Sequence, residues 1–379
     1  MSLIARFFKN IFGDIDWILI GSILPIVGFG LITMNSFVDT GNFFYRQTMW
    51  LVISLIVFLI LSNIDFKFLR RTQVIVWLYL IVVFLLLSLF AVGSTYQGAQ
   101  SWFSIGGFTF QPAEISKLVL ILLLAKYFSR RHVEIKNFRH IIVSGVYAFI
   151  IFALVALQPD FGSALIIFMI WLGMILVSGI SYKHLLTVFI AGSMAFLVLW
   201  GFAFQDYQKA RIKTFLNPLS DIQGTGYNAF QSTVAVGSGQ LLGKGIGYGT
   251  QSRLEFLPEY ETDFIFAAFS EEWGFVGVLI FLSLYMVFIW RILINSMNGF
   301  TNFEILFGVG LAILYMSHLI IHIGMNIGLL PVTGLTLPFM SYGGTSLMLA
   351  FAGIGILMGM KKYNRTIHKD LSDNEFVGI

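Results

Sequence analysis

Ten stretches of this chain are apolar for long enough to cross a bilayer. A helix rises about 1.5 Å per residue, so about 20 apolar residues match a hydrocarbon layer about 30 Å thick. The stretches fall near 17–34, 50–64, 74–92, 113–128, 141–157, 163–178, 185–204, 264–294, 305–323 and 345–360. With 58% of 379 residues apolar and 11% charged, no water-soluble core could hide this much apolar surface. The expected fold is an all-α polytopic membrane protein, a bundle of ten transmembrane helices forming one domain over residues 1–379. The first stretch is as long as a full span and no small-residue cleavage pattern follows Met34, so it reads as a retained helix.

Lys and Arg counts set the orientation. Loops on the side of the termini hold sixteen of them against eight acids, and the opposite loops hold seven against eleven. Both termini are therefore expected in the cytoplasm. Clusters such as Lys67, Arg70, Arg71 and Arg130, Arg131 read as anchors to anionic membrane lipids. The chain has no cysteine, which leaves no disulfide and no thiolate metal site. No nucleotide-binding fingerprint is present, and no nucleic-acid partner is expected.

Three segments on the outer side break the pattern of short connections. The first, Gly93 to Gln111, carries Gln97, Gln100, Trp102 and Gly106-Gly107. The second, a large outer loop over 205–262 between the seventh and eighth spans, holds eight glycines between Gly224 and Gly249. A structureless loop of that length is more often functional than idle. Its glycines admit two readings, an anion-binding nest of N–H groups for a phosphate or sugar, or simple turns in a bent segment. The third, Met325 to Gly344, is rich in Gly and Pro and resembles the wall of a cavity.

Asp263 stands where the polar 205–262 segment meets an apolar helix. A carboxylate there loses hydration and gains proton affinity, which suits a general base. Glu114 and Lys117 share a helix face three residues apart, either as a self-neutralising ion pair or as a hold on a polar substrate group. Asp160, in the tight turn Gln158-Pro159-Asp160-Phe161-Gly162, reads first as a helix cap. Glu271 and Glu272 follow Asp263 by two turns, and Glu271 would lie about 12 Å deeper; an orienting polar network is expected of them. His318 and His322 have the spacing of paired metal ligands but lack an acidic or cysteine partner, so interhelical hydrogen bonding is expected and no metal site is assigned. An outward base, the cations Lys117, Arg211, Lys244 and Arg253, and a membrane groove suit an anionic lipid-linked substrate such as a pyrophosphate-linked sugar.

At these same residues the chain resembles the SEDS family of cell-wall polymerases, which includes the elongation protein RodA and the division protein FtsW. The matches are Gln111-Pro112-Ala113-Glu114-Ile115-Ser116-Lys117, the 158–162 turn, Gly224 to Gln251, Leu257 to Glu272, and Pro338 to Gly344. The stretch Arg211 to Pro218 and the short ends look more like the RodA branch. The resemblance implies a peptidoglycan glycosyltransferase that joins lipid II into glycan strands outside the bacterial cytoplasmic membrane during cell elongation. It implies Asp263 as the base; around it, Glu114, Lys117, Arg211, Lys244, Gln251, Arg253, Glu259 and Thr262 are the candidates for substrate contact, the four cations for the pyrophosphate, and Asp160, Glu271, Glu272 and Ser341 the candidates for support. Lipid II, undecaprenyl-linked glycan, a class B penicillin-binding protein and the elongation complex are the implied partners. The charge of the pyrophosphate would favour a divalent cation, Mg or Mn, and the sequence assigns no cofactor. Glu261 stands where relatives often have histidine. A division-specific polymerase of the FtsW type, a lipid II flippase and a non-catalytic scaffold are the other readings of the same residues.

Overall fold

Continuous apolar runs commit the backbone to helices, because a lipid-facing chain must satisfy every N–H and C=O within its own segment. The computed structural model describes residues 13–36, 42–96, 99–105, 108–129, 138–202, 206–217, 226–254 and 256–375. Seven of its helices are long and apolar enough to cross a membrane: α1 (Trp17–Asn35), α2 (Phe43–Ser62), α3 (Thr72–Val92), α5 (Phe138–Leu157), α11 (Ile265–Met297), α12 (Asn302–Asn326) and α13 (Gly344–Glu375) over its first nineteen residues. Helices α4 (Pro112–Ser129), α6 (Phe161–Val177) and α7 (Tyr182–Phe202) occupy the other three apolar stretches. Arg130 and Arg131 lie outside the described residues.

The expectation of an all-α chain needs one correction. Residues 94–110 form a small antiparallel sheet in the order β1-β2-β3, from β1 (Ser94–Tyr96), β2 (Ala99–Ile105) and β3 (Phe108–Phe110). Aromatic Trp102 and Phe103, both partly buried, suit a pleated, half-buried surface, so the fold is predominantly helical with a β cap. The 205–262 segment needs another, since it is not structureless. It contains α8 (Asp206–Leu216), α9 (Tyr227–Ser238) and a single turn, α10 (Thr250–Arg253). Gly224 and Pro218 lie outside the described residues.

Helices α4 and α12 sit in the middle. Residues 116–125 of α4 are all buried, so this helix has no lipid face, and α12 is buried along most of its length. Around them, α13 packs along α2, α11 packs against α1 and α12, and α5 packs against α6. One end of the bundle is tied by polar contacts: Asp16 caps α1 and accepts from Arg291 (2.6 Å) and Asn295 (2.7 Å), Lys361 donates to Asn295 (2.5 Å), and Arg70 pairs with Glu304 (2.6 Å). The other end carries the sheet, the described parts of the 205–262 segment and the Gly- and Pro-rich 327–343 segment, and there Thr345 at the start of α13 donates to the carbonyl of Thr109 in β3 (2.8 Å).

Candidate active site

Asp263 belongs to a turn built around one carbonyl. Glu259 adopts a left-handed backbone (φ 52°), and its carbonyl accepts the N–H groups of Thr262 (3.2 Å), Asp263 (3.1 Å) and Phe264 (3.2 Å). Thr262 also donates its hydroxyl to the Glu259 carboxylate (3.2 Å). The turn is clasped from outside: Ser341 donates to the carbonyl of Thr262 (2.7 Å), Tyr342 N–H to that of Glu261 (2.8 Å) and Asn326 Nδ2 to that of Asp263 (3.1 Å). Gln47 in turn holds the 341–343 backbone, donating to the carbonyl of Ser341 (3.1 Å) and accepting from Gly343 N–H (3.2 Å). The Asp263 side chain is half-buried, and a β-carbon added at Gly334 would stand 3.6 Å from its Oδ2. Beside it, burial pushes the Glu261 carboxyl above its ordinary range, and the charge of Glu259 pushes the same way.

A second cluster resolves the two readings of the glycine-rich stretch. Helix α11 is broken at Gly274 (φ 65°, ψ −168°), which frees two carbonyls and two N–H groups. The 239–245 backbone takes all four: Lys244 and Gly245 N–H donate to the carbonyls of Glu271 (2.9 Å) and Glu272 (3.0 Å), while the carbonyls of Gln240 and Leu241 accept from Phe275 (2.9 Å) and Val276 (3.1 Å). A β-carbon on Gly243 would overlap the carbonyl of Glu272, and one on Gly274 would overlap the amide of Gly243. These glycines therefore serve backbone-to-backbone approach. The neighbouring N–H groups do form an anion nest, and the anions are the protein's own carboxylates. Glu271 accepts from Thr250 N (2.9 Å), Gln251 N (3.2 Å) and Lys244 Nζ (2.6 Å), and Glu272 accepts from Gly247 N (2.9 Å) and Ser36 Oγ (2.5 Å).

The third cluster lies around α4. Lys117 is fully buried and pairs with Glu114 (2.6 Å), as a buried charge requires. Its ammonium also lies 3.4 Å from Nε2 of His318. Asp160 caps α6 through Ser163 N (3.0 Å) and accepts from Gln111 Nε2 (2.8 Å) just before α4. His318 and His322 direct Nδ1 at the carbonyls of Thr336 (3.1 Å) and Leu335 (2.7 Å). A carbonyl only accepts, so Nδ1 carries the proton on both rings and Nε2 presents a lone pair.

The structure thus divides the sequence-derived residues among three groups. Asp263, Glu259 and Thr262 share one turn that Ser341 clasps; Lys244, Gln251, Glu271 and Glu272 surround the helix break; Glu114, Lys117 and Asp160 meet near α4. The consecutive residues Gly334, Leu335 and Thr336 connect the first group to the third, facing Asp263, His322 and His318 in turn. Lys117 and Lys244, proposed from sequence as phosphate contacts, are each paired with a glutamate. Arg253 is exposed, and the Arg211 side chain lies outside the described residues. Sequence reading missed Gln47 and Asn326. Asn326 ends a span as an isolated amide, a weak signal, and only the fold reveals that it reaches Asp263.

The profile of the FtsW, RodA and SpoVE family of cell cycle proteins matches residues 15–366. The peptidoglycan glycosyltransferase MrdB of Escherichia coli (strain K12) is 40% identical over 296 residues, covering 78% of this chain and 80% of that protein. Among solved structures, a chain from work on the structural coordination of polymerization and crosslinking by a peptidoglycan synthase complex superposes with a TM-score of 0.78 at 29% identity, covering 92% of this chain and 97% of its own. The rod shape determining protein RodA of Thermus thermophilus superposes with a TM-score of 0.67 at 28% identity, over 91% of this chain and 96% of its own.

Proposed function

This chain belongs to the FtsW, RodA and SpoVE family and is a peptidoglycan glycosyltransferase; we propose that it polymerises lipid II into glycan strands during cell elongation, with Asp263 as general base. The observation that carries the assignment of the base is the clasped turn, which fixes a half-buried carboxylate beside Gly334, where an added β-carbon would touch its Oδ2. A base works when it is both positioned and partly desolvated.

In the proposed reaction, Asp263 takes the proton of the acceptor sugar's 4-hydroxyl as that oxygen attacks the anomeric carbon of the lipid-linked donor. The bond from that carbon to the pyrophosphate oxygen breaks with inversion, and its electron pair leaves on undecaprenyl pyrophosphate. Asp263 then returns its proton to water. Arg253, and Arg211 on α8, are the cations for the leaving group. Lys117 and Lys244 act through their glutamates, Lys117 fixing Glu114 and Lys244 tying the 244–251 stretch to Glu271. Among the described residues no three His, Asp or Glu side chains come together to hold a metal ion. A divalent cation at the pyrophosphate would take ligands from phosphate oxygens and water and would offset the charge of the leaving group.

The topology that goes with this reading has ten crossings, both termini in the cytoplasm and the Asp263 end outside the bacterial inner membrane. Seven apolar spans and three further helices at the remaining apolar stretches support the count, and the Lys and Arg bias supports the orientation. Similarity to a chain of a peptidoglycan synthase complex supports a class B penicillin-binding protein as the partner.

Purified protein given labelled lipid II tests the assignment. Wild type is expected to make glycan chains, and Asp263→Ala to lose about 10²–10⁴-fold in rate; equal polymer from both would remove Asp263 as base. Depletion is expected to round the cells, whereas filaments would move the protein to division.

A further inference from the structure

We propose that residues 239–249 form a re-entrant hairpin that dips into the outer leaflet of the bilayer, with lipid acyl chains covering Leu241, Leu242 and Ile246. Two rulers set its depth. Arg291, at the polar clasp with Asp16, is seventeen residues from Gly274, or about 25 Å along α11 at about 1.5 Å per residue. The hairpin is bonded to that break, which places it about 5 Å inside the far edge of a hydrocarbon layer about 30 Å thick. Independently, α1 starts at the same clasp, spans 19 residues and is followed by its C-cap Ser36, whose hydroxyl donates to Glu272 at the break.

The side chains suit this level. Leu242 is 80% exposed, Leu241 68%, Tyr248 69% and Ile246 49%, and they continue the apolar surface of Phe275 and Val276 on α11. Exposed apolar groups of this size are unusual in a loop surrounded by water, whereas a Tyr beside them fits the headgroup boundary. The backbone is prepared for the same environment. N–H groups of Lys244, Gly245 and Gly247 and carbonyls of Gln240 and Leu241 are all bonded within the protein, and the Lys244 ammonium is paired with Glu271. Segments of irregular backbone reach membrane depth only when so satisfied.

The absence of cysteine makes the test direct. Single cysteines at Leu242 and Ile246 carry a nitroxide label in protein reconstituted into liposomes, with exposed Lys213 as the aqueous control and Leu279 on α11 as the lipid-facing control. The expected result is that oxygen relaxes the labels at 242 and 246 several-fold more, relative to a water-soluble nickel chelate, than at 213, approaching the ratio at 279. A ratio equal to that at 213 would overturn the proposal. Exclusion of both reagents would overturn it too, since a protein partner or second copy would then cover the hairpin. Either labelled position reads the answer alone if the other substitution prevents folding.

Discussion

Lys117 and His318 meet at 3.4 Å in the middle of the bundle, 201 residues apart in sequence. The ring is oriented by the carbonyl of Thr336, so its lone pair faces the ammonium that also pairs with Glu114. His318→Phe removes that acceptor and leaves a buried cation with one partner, at an expected loss of about 1–3 kcal/mol. His318→Gln offers a carboxamide oxygen and is expected to recover part of it. Thermal unfolding of the detergent-solubilised variants checks both.

Asn326 is predicted to act on catalysis through position. Its side chain donates to the carbonyls of Asp263 (3.1 Å) and His322 (2.8 Å) and accepts from Ala267 N–H (3.1 Å). Asn326→Ala frees the Asp263 turn, and a shift on the order of 1 Å is enough for about a 10²-fold loss of rate. Steady-state kinetics should place the loss in kcat more than in KM; unchanged kcat would mean that the clasp serves stability alone.

At the helix break, Gly274→Ala and Gly243→Ala each put a methyl group into opposing backbone at a positive φ. Neither site can relax by turning a side chain, so each is expected to cost more than about 1 kcal/mol. Gly192→Ala on α7, where the added carbon meets nothing within 4 Å, is expected to leave the melting temperature near wild type.

Glu261 gives a pH dependence of definite sign. Burial, reinforced by Glu259, raises its carboxyl above the ordinary 4.5, so the folded state favours the proton. The stability linked to that proton is fully present below pH 4.5 and is lost as pH rises through the folded value. Glu261→Gln is thus expected to raise stability at neutral pH, with the gain fading below pH 4.5. Melting curves across pH 4–8 measure it, and a gain that grows toward acid would reverse the assignment.

The spans were legible because lipid demands long apolar runs, and such runs are local. Helices α8 and α9 were hidden because glycines in the same segment argued for loop, and the glycines act only after α11 breaks beside them. Strands of three, seven and three residues are too short to show a period against neighbouring spans. The location of Asp263 could be read from the local change from polar to apolar sequence. Its supports could not, because Asn326 and Ser341 lie 63 and 78 residues away, and Gln47 reaches Ser341 across 294.

The clasp of Asp16 with Arg291, Asn295 and Lys361 has a consequence for how the molecule is made. Helix α1 enters the bilayer long before the ribosome has synthesised Arg291 and Asn295, the partners of Asp16, or Lys361, which holds Asn295. Until α11 is translated, Asp16 must keep its charge solvated at the membrane surface, and until residues 341–343 follow, Gln47 has no backbone to hold. The polar clasp can therefore be completed only when Lys361 is made, and a nascent chain stalled before Asn326 would insert in the membrane with the Asp263 turn unclasped.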